Sequence, residues 1–412
     1  MLNFKIKKDN FLKSLSLVQG ATERKGILPV LSNLLIETIN NQKNGFIKIS
    51  ATDLEISITT YCNVNIIQDG KITINARKLY SIIKEFPESK MDEDEYIDVK
   101  ETEAGLGVVS YKKIIFKLTT IPVIDYPALI EIEAKDNFNI DLKTLRLLIN
   151  SVIFSSAVSE DAKRNLAGVF FVLAGDDENS FLRLVATDGH RLSLAESEIT
   201  YTITSKKPES ADKDKDIYDL LKAGVIIPRK ILNELVKIEE NGNVNISINA
   251  NSIIFKLDGD VNNYNGYKTE FTSRLIEGKF PDYQSVLPKD NYKILKVKTK
   301  DLSDSIRRVS LLAEEKSHSI ELNFNNNALV IKTVHTNLGE ASDEIEAKYT
   351  GEPLNIKLNS RYIQDFISNI PEEQLEIKFN TVYTPLVIIP VNKGLHEQKK
   401  INLIGVFMPM RY

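Results

Sequence analysis

The pentapeptide Ile-Ile-Phe-Lys-Leu occurs twice in this chain, at Ile114–Leu118 and at Ile253–Leu257, and the tripeptide Ala51-Thr52-Asp53 returns as Ala186-Thr187-Asp188. The two landmarks recur in the same order and at nearly the same spacing. A chain that repeats so large a unit builds one fold several times, and its function then lies in how the copies are arranged.

A third copy aligns by pattern. Phe4-Lys5-Ile6 followed by Phe11, Leu15 and Val18 matches Phe138-Asn139-Ile140 followed by Leu145, Ile149 and Val152. Both match Leu295-Lys296-Val297 followed by Leu302, Ile306 and Val309. Each reads as a short alternating strand and then a helical stripe. Asp9-Asn10, Asp141 and Asp301 stand at or near the helix starts, where a short polar side chain accepts from unpaired amides. A second helix is expected in each copy, over Ala76–Phe86, Pro228–Ile238 and Ser360–Ile370, with Pro228 suited to a first turn. Strand-like runs surround them: Phe46–Ser50, Ile56–Tyr61, Phe181–Ala186, Val244–Ile248, Leu329–Thr333, Leu354–Leu358, Leu375–Phe379 and Pro385–Pro390. Two helices per copy against many strands indicate an α+β fold with large antiparallel sheets.

The 412 residues accommodate three copies of roughly 130 residues, a common domain size. The expected boundaries are 1–128, 129–286 and 287–412. No apolar run approaches the roughly 20 residues of a membrane helix, and Met1–Asn10 reads as a charged strand rather than a signal peptide, so a soluble, cytoplasmic protein without a membrane partner is expected. A single cysteine, Cys62, excludes an intramolecular disulfide and a cysteine-cluster zinc site, and it reads as a small strand side chain. A formal charge of −4 argues against a protein that coats nucleic acid over its whole surface. It leaves room for a local basic face. Arg24, Lys25, Arg77, Lys78, Arg146, Lys163, Arg164 and Arg229 lie on helices or at their edges, apart from acidic runs such as Met91–Tyr96 and Asp343-Glu344 with Glu346. The charged stretch Ser205–Asp219 reads as a mobile linker and Asp258–Tyr267 as a long turn.

Enzyme signatures are sparse. There is no phosphate-cradling glycine loop and no dinucleotide fingerprint. His190, His318, His335 and His396 are scattered singly, without metal-ligand spacing. Asp188 and His190 beside Gly189 could act as a general acid and base. The alternative is a tight turn in which Asp188 bonds local amides. The first copy keeps Ala51-Thr52-Asp53 but continues Leu54-Glu55, losing the histidine, which favours the turn. No catalytic residue, metal or cofactor is expected.

Four strings fix a resemblance: Leu28-Pro29-Val30-Leu31-Ser32-Asn33, Ala186-Thr187-Asp188-Gly189-His190-Arg191-Leu192, Gly278-Lys279-Phe280-Pro281-Asp282-Tyr283 and Met408-Pro409-Met410-Arg411. Together, in order along the whole chain, they resemble the bacterial DNA polymerase III beta subunits, the sliding clamps. The resemblance implies a head-to-tail homodimer in which three tandem clamp domains per chain make a six-domain ring around duplex DNA. In such a ring helices line the hole, so the basic residues above would meet phosphates without reading bases.

The resemblance also implies a cleft between the second and third domains for short peptides from the DNA polymerase III catalytic subunit, the clamp loader, other polymerases and repair proteins. Carried onto this sequence, that cleft comprises Leu166, Thr187, Gly189, His190, Arg191, Leu192, Pro281, Ser285, Val286, Asn359, Tyr362, Val382, Thr384, Val406, Met408, Pro409, Met410 and Arg411. Aliphatic and methionine side chains suit an adaptable apolar pocket, and Arg191, His190 and Asn359 suit polar groups of a peptide. Departures from the family pattern fall at Tyr412, where an aliphatic residue is common, at Lys25, where arginine is frequent, and at Lys163-Arg164-Asn165, which lacks aromatic residues that some members carry.

Overall fold

The computed structural model describes residues 1–23, 28–41, 44–87, 96–130, 132, 137–158, 163–175, 180–198, 217–258, 267–287, 293–391 and 401–410. Arg24, Lys25, Met91–Glu95, His396, Arg411, Tyr412 and most of the Ser205–Asp219 stretch therefore lie outside the described residues.

Two compact units form, one from Met1–Leu142, Tyr201–Ile217 and Asn233–Leu275, the other from Lys143–Thr200, Tyr218–Leu232 and Ile276–Tyr412. Each combines an end repeat with strands of the middle one, because backbone hydrogen bonds run across the repeat boundary. In the first unit Tyr267–Arg274 of the middle repeat pairs antiparallel with Ile56–Asn63 of the first. In the second unit Ile401–Phe407 pairs antiparallel with Arg191–Glu198.

The first unit holds an eight-stranded sheet, in the order Phe138–Asp141, Asn243–Ile248, Ser252–Asp258, Tyr267–Arg274, Ile56–Asn63, Asn44–Thr52, Asn33–Asn41, Lys71–Asn75. A separate five-stranded sheet runs Asn65–Gln68, Asn3–Ile6, Ile97–Glu101, Leu106–Tyr111, Ile114–Thr119. The second unit has one twelve-stranded sheet that begins at Val225–Pro228, passes through Gly168–Gly175, Ser180–Thr187, Arg191–Glu198, Ile401–Phe407 and Leu386–Val391, and ends at Leu354–Asn359. The expected strand runs fall inside these elements, apart from Pro385, which precedes Leu386–Val391.

The helical stripes are buried as their spacing requires. Phe11, Leu15 and Val18 on Lys8–Val18, and Leu302, Ile306 and Val309 on Thr299–Val309, are all at most 2% exposed. Each such side chain stabilises its docking by about 1.5–3 kcal/mol, far above what helix propensity offers a segment of this length. Leu145, Ile149 and Val152 are likewise buried, the first two on Leu142–Asn150.

Capping differs from expectation. Lys7 and Lys298 occupy the cap positions of the first helices in the end repeats, with no side-chain bond, and Asp9 and Asp301 lie inside the first turn. There their carboxylates meet the positive end of the helix dipole instead of a single amide. True side-chain caps sit on the second helices: Asn75 accepts from the Lys78 amide, and Asn359 from those of Arg361 and Tyr362. The second helices span Ala76–Glu85, Arg229–Leu235 and Ser360–Ile367, so Pro228 is the last strand residue and lies outside the helix. A further helix, Ile217–Ala223, begins inside the stretch read as a linker.

One landmark of the repeat was misplaced. Ile114–Thr119 is the third strand after its repeat's second helix and, among the described residues, pairs only with Leu106–Tyr111, at the sheet edge. Ser252–Asp258 is the second such strand and is paired on both sides. The structural counterpart of Ile114–Thr119 is therefore Tyr267–Arg274, and each of these is followed by a buried tyrosine, Tyr126 or Tyr283.

Candidate peptide pocket and its supporting turn

The Ala-Thr-Asp repeat is a repeat of geometry. In the first copy the Thr52 hydroxyl donates to the Ile56 carbonyl at 2.7 Å and accepts from the Leu54 amide at 3.0 Å. Asp53 Oδ1 accepts from the amides of Glu55 and Ile56 at 3.0 and 2.8 Å. In the second copy Thr187 donates to the Arg191 carbonyl at 2.6 Å and accepts from the Gly189 amide at 3.1 Å. Asp188 Oδ1 accepts from the amides of His190 and Arg191, both at 3.0 Å. The third turn residue is left-handed in both, with φ 77° at Leu54 and 90° at Gly189. Asp188 is thus committed to the turn, as a satisfied local acceptor, and the acid–base pairing with His190 loses its acid.

The second-copy turn forms one wall of a pocket of about 180 Å³ within the second unit. Thr187, Gly189, Arg191 and Leu192 come from the turn and the strand after it, Val406 and Met408 from the chain end, Leu166 from a short 3-10 turn, and Pro281, Asp282, Tyr283 and Val286 from the loop after the middle repeat. The Met408 amide donates to the His190 carbonyl at 3.0 Å, which holds the chain end against the turn. Behind the pocket Phe170 stacks on Phe280 with centroids 4.8 Å apart, and Tyr283 accepts from Arg183, itself paired with Glu196. Asp282 and Tyr283 were missed as lining residues, although they lie in the Gly278–Tyr283 string that carried the resemblance.

Arg191 is 9% exposed. Its Nε donates to Asp188 at 3.1 Å, one terminal nitrogen to Asp365 at 2.7 Å and the other to the Phe154 carbonyl at 2.6 Å. The guanidinium lies 4.4 Å from the Tyr362 ring centroid and 5.6 Å from that of Phe154. Burial, and then the charge on Asp188, push the Tyr362 hydroxyl above its usual pKa.

The other expected cleft residues that are described, His190, Ser285, Asn359, Tyr362, Val382, Thr384, Pro409 and Met410, lie outside the lining of this pocket. His190 stacks at 6.4 Å on Tyr362, and Asn359 is occupied as a helix cap and as a donor to the Ser317 carbonyl. The Met410 amide donates to Lys357, which leads the chain end past Asn359. Ser285 donates to the Asp282 carbonyl, Thr384 closes an exposed turn with Thr381, Val382 lies in that turn, and Pro409 separates the two methionines.

Of the basic residues, Arg77 and Lys78 are exposed on the first turn of Ala76–Glu85, and Lys163 and Arg164 are exposed at the 3-10 turn Arg164–Leu166. Arg146 is half-buried, with Nε buried and without a hydrogen-bond partner. Arg229 is half-buried and donates to the Ser156 carbonyl; burial, and then Arg191, lower its pKa. Among the described residues no group of three or more His, Cys, Asp or Glu side chains is placed to hold a metal, and no helix is long and apolar enough to cross a membrane.

Profiles of the DNA polymerase III beta subunit match along the chain: the N-terminal domain over residues 2–130, the central domain over 139–282 and the C-terminal domain over 284–410. The chain belongs to the DNA polymerase III beta subunit family. It is 31% identical to the beta sliding clamp of Pseudomonas aeruginosa, with all of both chains covered. It is 29% identical to that of Caulobacter vibrioides over 98% of this chain and 99% of the relative. The crystal structure of the DnaN sliding clamp of Bartonella birtlesii bound to griselimycin superposes with a TM-score of 0.85, at 29% identity and with both chains fully covered. As a member of this family, the chain consists of three clamp domains and functions as a sliding clamp.

Proposed function

We propose that two copies of this chain close head to tail into a six-domain ring around duplex DNA, without catalytic activity, in the cytoplasm, with domains at 1–128, 129–286 and 287–412. The observation that carries the proposal is a pairing rule. In the middle and last repeats, the third strand after the second helix pairs antiparallel with the third strand after the first helix of the preceding repeat. In the first repeat the strand that follows this rule is Ile114–Thr119, and among the described residues its outer side is unpaired. The other unmatched position lies in the last repeat. Its corresponding strand, Gly339–Lys348, pairs with Ala328–His335 over Gly339 to Glu346, but only Ala347 and Lys348 pair with the strand on its other side, Lys293–Lys298.

A second copy of the chain supplies each missing neighbour. The contact is heterologous, and two such contacts make a closed dimer. Its surfaces suit each other. Ile114, Ile115 and Phe116 are 38%, 61% and 38% exposed on one edge, and Leu311, 82% exposed, belongs to a 3-10 turn packed beside Gly339–Lys348. Lys112, Lys113 and Lys117 flank the first edge, and Glu340, Asp343, Glu344 and Glu346 line the second.

Arg77, Lys78, Lys163 and Arg164 then serve as exposed phosphate contacts, joined by the half-buried Arg146 and Arg229; Arg24 and Lys25, outside the described residues, complete the set. Such contacts carry no base information and are screened by salt, so the ring slides while its topology retains it. The apolar pocket takes short peptides from the DNA polymerase III catalytic subunit, the clamp loader, and other polymerases and repair proteins. The decisive experiment pairs native mass with retention on circular and linearised DNA. A dimer held on circles and lost from linear ends is expected, and a monomer that binds both forms equally overturns the ring.

A further inference from the structure

We propose that Asp365 is a positioning residue for the peptide pocket, acting through Arg191 from outside the pocket itself. The inference rests on the pocket reading above and adds a residue to it. The internal repeat supplies the control. The turn at Thr52–Ile56 makes the same side-chain bonds as the turn at Thr187–Arg191, and it also receives an amide on the corresponding carbonyl, from Arg274 to Glu55 at 2.9 Å. Yet the position of Arg191 is taken there by Ile56, fully buried. A buried guanidinium is therefore not needed to make this turn or to dock a strand on it.

The arginine stands only at the copy whose turn lines the pocket, and its reach is long. Its bond to Asp365 ties the turn of the middle repeat to the helix Ser360–Ile367 of the last one. The next residue on that helix, Phe366, packs edge-on against Phe154 at 6.2 Å and Phe407 at 5.7 Å. Phe407 lies between Val406 and Met408, both in the pocket wall. Asp365 thus fixes the helix against Arg191, the helix fixes Phe407, and Phe407 sets the spacing between Met408 and Gly189. The charges balance locally, with Asp188 and Asp365 facing Arg191 and Arg229. Loss of Asp365 removes the carboxylate whose charge acts on both guanidinium groups.

The test uses the full-length chain and two probes: a fluorescein-labelled peptide copying the tail of the same cell's replicative polymerase catalytic subunit, and griselimycin, the compound bound to the Bartonella birtlesii clamp. Asp365→Ala and Asp365→Asn should each weaken both probes about tenfold, while native mass stays that of the unsubstituted protein. Asp365→Glu, which restores the carboxylate, should recover most of the affinity; a helix needing only its fold would gain nothing specific from the carboxylate. Asp365→Asn keeps the side-chain volume, so the question stays answerable if the alanine variant folds poorly. Val406→Asp is the reference for the pocket itself. If Val406→Asp abolishes binding while the Asp365 variants bind normally, or if glutamate rescues no better than alanine, the positioning role is wrong and the pocket stands. If Val406→Asp also leaves both probes bound, the pocket reading itself has failed.

Discussion

Ile115→Ser tests the pairing rule with a magnitude the structure supplies. Ile115 is 61% exposed on the open edge strand Ile114–Thr119. Fully burying an isoleucine stabilises by about 1.5–3 kcal/mol, so completing that burial against a second copy contributes about 1–2 kcal/mol at each contact. A head-to-tail dimer closes two contacts, and one substitution acts at both. The expected loss is about 2–4 kcal/mol, a rise in the dimer dissociation constant of about 30- to 700-fold. Sedimentation velocity across a dilution series reads the shift directly. Ile67, 57% exposed on Asn65–Gln68 at the opposite edge of the same five-stranded sheet, is the control. Ile67→Ser should leave the equilibrium where it is. Equal shifts from both variants, or none from Ile115→Ser, would refute the assignment of the edge.

The left-handed turn position gives a second comparison. Gly189→Ala adds a Cβ that meets no atom within 4 Å, so its cost is the backbone alone, about 1 kcal/mol, or a fall of about 2–4 °C in the melting of a unit of this size. Leu54→Gly, at φ 77°, relieves that strain against a gain in unfolded-chain entropy and should change stability by no more than about 0.5 kcal/mol; equal losses at both sites in calorimetry would contradict the shared geometry. Burial pushes the Cys62 thiol from 9.0 up to about 11. The folded state then keeps a proton that the unfolded chain releases, so this contribution is intact below about pH 9 and declines toward pH 11, by at most about 1.4 kcal/mol per pH unit. Urea midpoints of the protein and of Cys62→Ala should diverge accordingly above pH 9, and rapid iodoacetamide labelling of the native chain at pH 8 would show the burial to be wrong. Met408→Ala with Met410→Ala should weaken the labelled tail peptide and leave native mass unchanged; undiminished affinity would show the pocket to be elsewhere.

What could be read from the sequence was what local chemistry decides. The Thr-Asp turns were legible because a threonine hydroxyl and an aspartate carboxylate reach only nearby amides, so the same letters make the same bonds in two places. The helical stripes were legible because burial follows their spacing. The Ile-Ile-Phe-Lys-Leu match misled for the complementary reason: any strand-rich chain reuses short apolar strings, and the letters do not say which neighbour a strand will find. Asn359 and Arg191 were named for the cleft, with His190, as side chains that suit polar groups of a peptide. Their commitments, one to a helix cap and the other to Asp365 and Phe154, involve partners distant in sequence and invisible to motif reading. The continuity of sheets across repeat boundaries is long-range in the same way.

The pairing rule also explains why apolar residues are exposed at Ile114–Phe116 and not at the corresponding internal strands. Tyr267–Arg274 docks on its neighbour within one chain, where linkage keeps the effective concentration high, on the order of millimolar for short connections. A strand of mixed character suffices there, and its Thr269, Phe271, Thr272 and Ser273 are buried by the docking. Ile401–Phe407 is more apolar, but Ile401, Leu403, Val406 and Phe407 are already buried in their own unit. In the proposed ring the closing contact forms between separate chains, without linkage, and must still outlast movement along DNA. The added apolar surface at Ile114, Ile115 and Phe116 compensates for the missing covalent connection. On the ring proposal the exposed edge is a joint of a repeated design that is left open among the described residues.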